Sequence, residues 1–236
     1  MNKIKNSSSW WGFTWNPITG CTKLSEGCKH CFAYTWHQRF MKGDFSLRFH
    51  PERLKELDKL KKLSKVFLGS MTDMFHPAVD PVWFYKVLET TMQYPQHTFL
   101  TLTKRPENII GHLYNYIVRK LYDMKGTTPL SKLWIGASIE NQAVVVPRCK
   151  ELIASSNSFP FFLSVEPMLG PVDIGSFLAT GKIKWVICGP ETGAGKRACN
   201  AYWPKALYEQ CQEYRVPFFY KGTTPRLPRE FPKELQ

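Results

Sequence analysis

Val66-Phe67-Leu68-Gly69-Ser70-Met71-Thr72-Asp73-Met74-Phe75-His76-Pro77 sets a short apolar, β-favouring run directly before a polar, acidic cluster. Asp80-Pro81 follows as the N-cap and first-turn proline of a helix that reaches about Tyr94. A strand that empties into polar groups and returns through a helix is one βα unit. Such a cluster at the end of a buried strand implies that something binds there.

Outward from this unit the pattern recurs without sequence identity. His97 to Leu102 is a strand ending in Thr103-Lys104-Arg105-Pro106, and Ile109, Ile110, Leu113, Ile117 and Leu121 mark a helix broken at Gly126 to Pro129. Leu133 to Gly136 is a strand ending in Ala137-Ser138-Ile139-Glu140-Asn141, followed by a helix with Pro147 near its start and its end near Ala154. Phe161 to Ser164 ends in Val165-Glu166-Pro167, and Lys184 to Cys188 ends in Gly189-Pro190-Glu191-Thr192-Gly193. A helix from Pro204 to Tyr214 then leads to a last strand, Val216 to Tyr220. Toward the N-terminus, Ser9 to Trp15 is an aromatic strand closed by Asn16-Pro17. Phe32 to Met41 is a helix with apolar Phe32, Trp36 and Phe40 four apart, and Leu54, Leu57, Leu60 and Leu63 predict an amphipathic helix over Pro51 to Lys65.

Strands alternating with helices predict an α/β protein with a parallel (β/α) partial TIM-type barrel of about six or seven strands. The length suits a single domain over 10–222, after a flexible N-terminal segment, 1–9, and before a C-terminal tail, 223–236. In a parallel barrel all strand ends carrying polar residues share one face.

Gly20-Cys21-Thr22-Lys23-Leu24-Ser25-Glu26-Gly27-Cys28-Lys29-His30-Cys31 opens onto that face after the first strand, with C-x6-C-x2-C spacing. Cys28 and Cys31 can turn their sulfurs to one centre while the longer arm brings Cys21 to a third side, an arrangement suited to an iron–sulfur cluster. Gly20 and Gly27 supply backbone freedom beside two of the cysteines. The following helix would point its N-terminus at the cluster's negative charge. A structural zinc site on the three thiolates with His30 or His37 remains open. It would not require polar residues at five neighbouring strand ends. An odd number of clustered cysteines with no secretory segment ahead argues against disulfides. Cys149 and Cys211 are expected as buried hydrophobes, Cys188 at a strand end, Cys199 as a loop thiol or a substrate-radical partner, and His76 as a packed histidine.

Composition adds the remaining bounds. Hydrophobic residues at 43% and charged residues at 22% are those of a globular protein, and no apolar run of about 18 residues suggests a membrane span. Met1 to Ser9 lacks the apolar stretch of a signal peptide, so a cytoplasmic location is expected. A net charge of +13 draws polyanions, and either nucleic acid or a phosphate-bearing small molecule fits it.

Trp15-Asn16-Pro17-Ile18-Thr19-Gly20-Cys21-Thr22-Lys23 with Gly27-Cys28-Lys29-His30-Cys31 resembles the opening motif of a phage-associated three-cysteine-motif family. Leu102 to Pro106, Trp134 to Gln142, Ser164 to Pro167 and Trp185 to Gly193 match it as well, over about residues 10 to 222. That family resembles a divergent branch of the radical S-adenosylmethionine enzymes, although the superfamily usually has C-x3-C-x2-C. The resemblance implies a [4Fe–4S] cluster on Cys21, Cys28 and Cys31, with S-adenosylmethionine chelated at the fourth iron and cleaved to a 5′-deoxyadenosyl radical. It further implies that Ser70, Thr72 and Asp73 bind the methionine amino group and that Ser138, Glu140 and Asn141 meet the ribose and methionine carboxylate. Glu166 and Glu191 would orient adenosine or substrate, and Lys104 and Arg105 would meet a phosphate or the cofactor carboxylate. For the carboxylates, barrel-end ion pairs with Lys104, Arg105 or Lys221 stand as the alternative. The implied partners are an electron donor such as a flavodoxin or ferredoxin and a nucleic-acid or nucleotide substrate, with phage DNA modification as a setting. The competing reading is a non-catalytic nucleic-acid- or partner-binding protein with a structural zinc or iron–sulfur site.

Overall fold

Apolar strand runs separated by helices assemble here into one open sheet, in a computed structural model that describes residues 1–3, 9–41, 43–122 and 132–236. The N-terminal part comprises β1 (Asn2–Lys3), β2 (Phe13–Trp15), β3 (Ile18–Thr19), α1 (Phe32–Phe40) and β4 (Arg48–Phe49). Then come β5 (Lys65–Leu68), α2 (Pro81–Met92), β6 (Thr98–Thr103), α3 (Ile109–Tyr122), β7 (Leu133–Ser138) and α4 (Gln142–Ala154). The chain finishes through β8 (Phe161–Val165), α5 (Gly175–Leu178), β9 (Ile183–Cys188), α6 (Tyr202–Glu213) and β10 (Phe218–Tyr220).

β2 and then β5 through β10 lie side by side in chain order, and every neighbouring pair among them is parallel. β1 is added antiparallel to β2 at one edge, and β10 forms the other, so the sheet is not closed. With strands in chain order, right-handed crossovers put all the connecting helices on one face. Alternate strand residues divide accordingly. Val66, Phe99, Ile135, Leu163, Val186 and Phe218 join the large core of the helices, whereas Leu100, Trp134, Phe162, Trp185 and Phe219 form a second cluster.

The face without helices needs its own apolar cover, and the chain ends supply it. Trp10 and Leu235 are buried in the second cluster with Phe231 beside them, and the Trp185 indole N–H donates to the Glu230 carbonyl at 2.9 Å. Arg229 bridges Phe219 on the edge strand. Segments expected as a flexible start and a tail are therefore partly built into the fold: Asn2 and Lys3 pair with Thr14 and Phe13, and the Met1 amino group meets Glu56 at 2.7 Å.

Two local readings change. Pro51–Lys59 is a 3₁₀ helix, because leucines repeating every three residues match three residues per turn; Leu57 and Leu60 are buried and Leu63 is 72% exposed. Pro147 lies inside α4, since the Asn141 side chain accepts from the Ala143 N–H and starts the helix earlier. The aromatic stripe of α1 faces outward; the helix buries only Ala33 and His37. The predicted break at Gly126 to Pro129 lies outside the described residues. Among those residues no helix is long and apolar enough to cross a membrane.

Candidate metal and cofactor site

The cysteine loop leaves β2 at the carboxyl edge of the sheet, and its path is set by contacts to one strand end after another. Gly20 donates its N–H to the Met71 carbonyl at 3.0 Å and accepts from the Thr72 hydroxyl at 2.6 Å, a parallel bridge that extends β2 past β5. Gly20 has φ +96°, and a Cβ there would stand 2.0 Å from the Ser46 carbonyl oxygen, so only glycine fits. Gly27 serves for space instead of backbone sign: a Cβ would meet the Glu140 side chain at 3.1 Å.

At the end of β6, Arg105 gathers the loop's first half. Its guanidinium pairs with Asp73 at 3.1 Å, donates to the Thr22 carbonyl and hydroxyl at 2.9 and 3.0 Å, and approaches the Cys21 sulfur at 3.9 Å. Asp73 is spent on the same joint, accepting from the backbone N–H groups of Phe75 and Lys104. His76 stands 2.7 Å from the Thr22 hydroxyl through Nε2, while Nδ1 accepts from the Ala78 N–H. Nδ1 as acceptor leaves Nε2 protonated and the ring neutral, in keeping with burial and the Arg105 charge holding its pKa below the ordinary histidine value.

The second half rests on β7 and β9. Glu140 is fully buried; Arg148 of α4 grips it through two nitrogens at 2.6 and 3.2 Å, and the Lys104 ammonium lies 3.8 Å away. Burial alone would raise the Glu140 pKa, but Lys104, Arg148 and Ser25 outweigh it and hold the carboxylate below its usual range. Glu191 accepts from the Arg197 backbone N–H at 2.8 Å and side chain Nε at 2.9 Å, and its carboxylate lies 3.1 Å from His30 Nδ1. Those Arg197 hydrogen bonds lower the Glu191 pKa to about 2. Arg197 also donates to the Glu26 carbonyl at 3.0 Å and pairs with its carboxylate at 3.2 Å.

Strand-end residues expected to hold a cofactor are thus largely occupied in holding the loop. Thr72, Asp73, Glu140 and Glu191 have partners within the protein, Ser70 bonds to Asn16, Ser138 is buried with its carbonyl accepting from Arg148 at 2.7 Å, and Asn141 caps α4. Glu166 pairs with Lys221 at 2.7 Å and accepts from Ser164 at 3.3 Å. The ion pairs Asp73–Arg105, Glu140–Lys104 and Glu166–Lys221 are those of the alternative reading. Four positioning residues escaped the sequence reading: Asn16, Thr22, Arg148 and Arg197. Arg148 had a signal, since it shares the buried side of α4 with Val145, Cys149 and Leu152. Arg197, in a loop of glycines and small residues, had none.

All three loop thiols are free and half-buried. The Cys21 thiol is pushed up by burial and by Asp73, against Arg105. For Cys28 burial acts upward too, yet backbone hydrogen bonds from Leu24 and Ser25 and the Lys104 charge bring it below its ordinary value. Cys149 and Cys211 are buried in the core as expected, Cys188 at the end of β9 is buried as well, and burial raises all three, Cys149 and Cys211 to about 12. Three unpaired thiols on one clamped loop are a donor set suited to a thiophilic metal or iron–sulfur cluster. Among the described residues, however, no three His, Cys, Asp or Glu side chains converge into a metal site in this conformation. Binding would have to draw the thiols together.

The fold and loop define an α/β protein with an open, mainly parallel sheet carrying a three-thiol loop on its carboxyl edge. The chain belongs to the family described as "Protein of unknown function (DUF5131)", whose model matches residues 5–229. A mutant of spore photoproduct lyase is similar in structure, with a TM-score of 0.49 and 9% sequence identity over 89% of this chain and 76% of that one. No curated protein matches the sequence.

Proposed function

We propose that the open sheet is a partial (β/α) barrel and that the protein is an iron–sulfur radical S-adenosylmethionine enzyme acting on a nucleic-acid base, nucleotide or other anionic substrate. The observation that carries this reading is the loop itself: three free thiols held at the carboxyl edge by side chains that follow β5, β6, β7 and β9. Cys21, Cys28 and Cys31 would hold the [4Fe–4S] cluster. The chemistry supplied by cluster and cofactor when bound is one-electron cleavage of the sulfonium to a 5′-deoxyadenosyl radical.

The chain's own residues prepare that site. Three thiolates on one short loop repel one another, and Arg105 beside Cys21 and Lys104 near Cys28 offset the repulsion. Thr72, Asp73, Glu140 and Glu191 then act by position, fixing where the loop enters, crosses and leaves the strand ends. Lys104, 17% exposed, and the Glu166–Lys221 pair, 20% and 28% exposed, remain open enough to meet substrate or cofactor. The excess positive charge favours an anionic substrate.

Anaerobic purification with iron, sulfide and zinc counted per chain tests the proposal. About four irons and four sulfides, lost in Cys21→Ala, Cys28→Ala and Cys31→Ala, are expected. The reconstituted protein should release 5′-deoxyadenosine from S-adenosylmethionine with dithionite. One colourless zinc per chain, or a full cluster without cleavage, would refute the enzymatic reading.

A further inference from the structure

Helix α1 carries its apolar stripe on the wrong side for a core helix. Phe32, Trp36 and Phe40, four apart on one face, are 70%, 39% and 59% exposed, while Ala33 and His37 are buried. The Trp36 and Phe40 rings lie 5.3 Å apart, and Met41, also exposed, follows at the end of the helix. Singly exposed aromatics are ordinary; a continuous row beside a candidate site marks a contact surface.

The charges beside the row select the occupant. α1 contains no Asp or Glu. The Arg39 guanidinium lies 5.2 Å from the centre of the Phe40 ring, with Lys29 exposed just ahead of the helix. The flanking carboxylates Glu26 and Asp44 are ion-paired, with Arg197 and Arg48. A second copy of the chain would bring its own cations against these. A polyanion with flat apolar faces complements both features.

We infer that this face docks a single-stranded polynucleotide, its bases stacked on Phe32, Trp36 and Phe40 and its phosphates against Lys29 and Arg39. Placing that strand beside the thiol loop as substrate rests on the proposed function, whereas the binding itself requires neither cluster nor cofactor.

Fluorescence anisotropy of a labelled oligothymidylate of about 20 nucleotides, long enough for a site of this class, tests it on the reconstituted protein. Saturable binding that weakens with salt is expected, with a loss on the order of tenfold in each of Trp36→Ser and Phe40→Ser. Both residues are exposed, so the variants should fold, which circular dichroism checks. Failure of the wild-type protein to bind, or equal binding by the variants, overturns the inference. So does a wild-type dimer in light scattering that the double variant turns into a monomer, which would assign the face to a second copy. S-adenosylmethionine cleavage, measured without oligonucleotide in the same preparations, separates the two readings. Binding lost with cleavage intact in the variants supports the surface, and binding by a wild-type protein that cannot cleave supports it while overturning the enzymatic role.

Discussion

Replacing Arg148 by methionine should unseat the buried carboxylate under the cysteine loop. Arg148 and Glu140 are 7% and 0% exposed, and the substitution removes both charged hydrogen bonds to Glu140 and a third to the Ser138 carbonyl. Lys104 would remain as the carboxylate's cation, at 3.8 Å and beyond hydrogen-bonding distance. Removing one partner of a buried pair costs about 3–5 kcal/mol, and the pull of Lys104 places the expected loss toward the lower figure. At about 2–4 °C per kcal/mol for a chain of this size, Tm should fall by at least about 6 °C. Acid supplies the internal check. In the wild type Glu140 titrates below its usual range, so its stabilisation is present above the unfolded value of about 4.3 and is lost as pH falls. In Arg148→Met burial dominates and lifts the pKa, so protonation relieves the variant and the gap to wild type narrows on acidification. The double variant Glu140→Gln/Arg148→Met, without the orphaned charge, should recover part of the loss at pH 7. Urea titrations across pH measure all three. A loss under about 1 kcal/mol at pH 7, or a gap independent of pH, would refute the reasoning.

Gly20→Ala must place its Cβ against the Ser46 carbonyl at φ +96°, so a loss of at least about 1–3 kcal/mol is expected in melts, and an unchanged Tm would show that the loop entry yields. Arg197→Gln removes the hydrogen bonds that hold the Glu191 pKa at about 2 and frees Glu26, so Tm at pH 7 should fall and protease cleavage of the 191–200 loop should accelerate; an unchanged Tm and cleavage rate would deny Arg197 its clamping role. Burial leads in depressing His50, His76, His97 and His112, so the unfolded chain binds more protons than the native one and stability should fall as pH drops below about 6.5. Glu191, at about 2, adds stability that is present above its unfolded value and lost as pH falls from about 4.3 toward 2. Stability flat between pH 8 and 5 would contradict the histidine part.

The alternation of apolar runs with helix caps was enough to order the strands, because a parallel strand buried on both faces must be uniformly apolar and its crossover needs a helix. Polar residues after each strand, at Asp73, Lys104, Glu140, Glu166 and Glu191, were legible as a shared edge for the same reason. Cysteine spacing located the loop. Which side chains are free and which are spent was decided by tertiary structure alone. Arg105, Arg148 and Arg197 reach Asp73, Glu140 and Glu191 across 32, 8 and 6 residues, pairings that depend on where helices and loops return to the sheet. The outward stripe of α1 was hidden similarly: periodicity shows that Phe32, Trp36 and Phe40 share a face, but only packing shows that Ala33 and His37 are the side that meets the core. Local sequence set the elements and the edge bearing the thiols and left ion pairing and ligand contact as alternatives for the strand-end charges; the choice between them depended on where helices and loops return to the sheet, which no local pattern encodes.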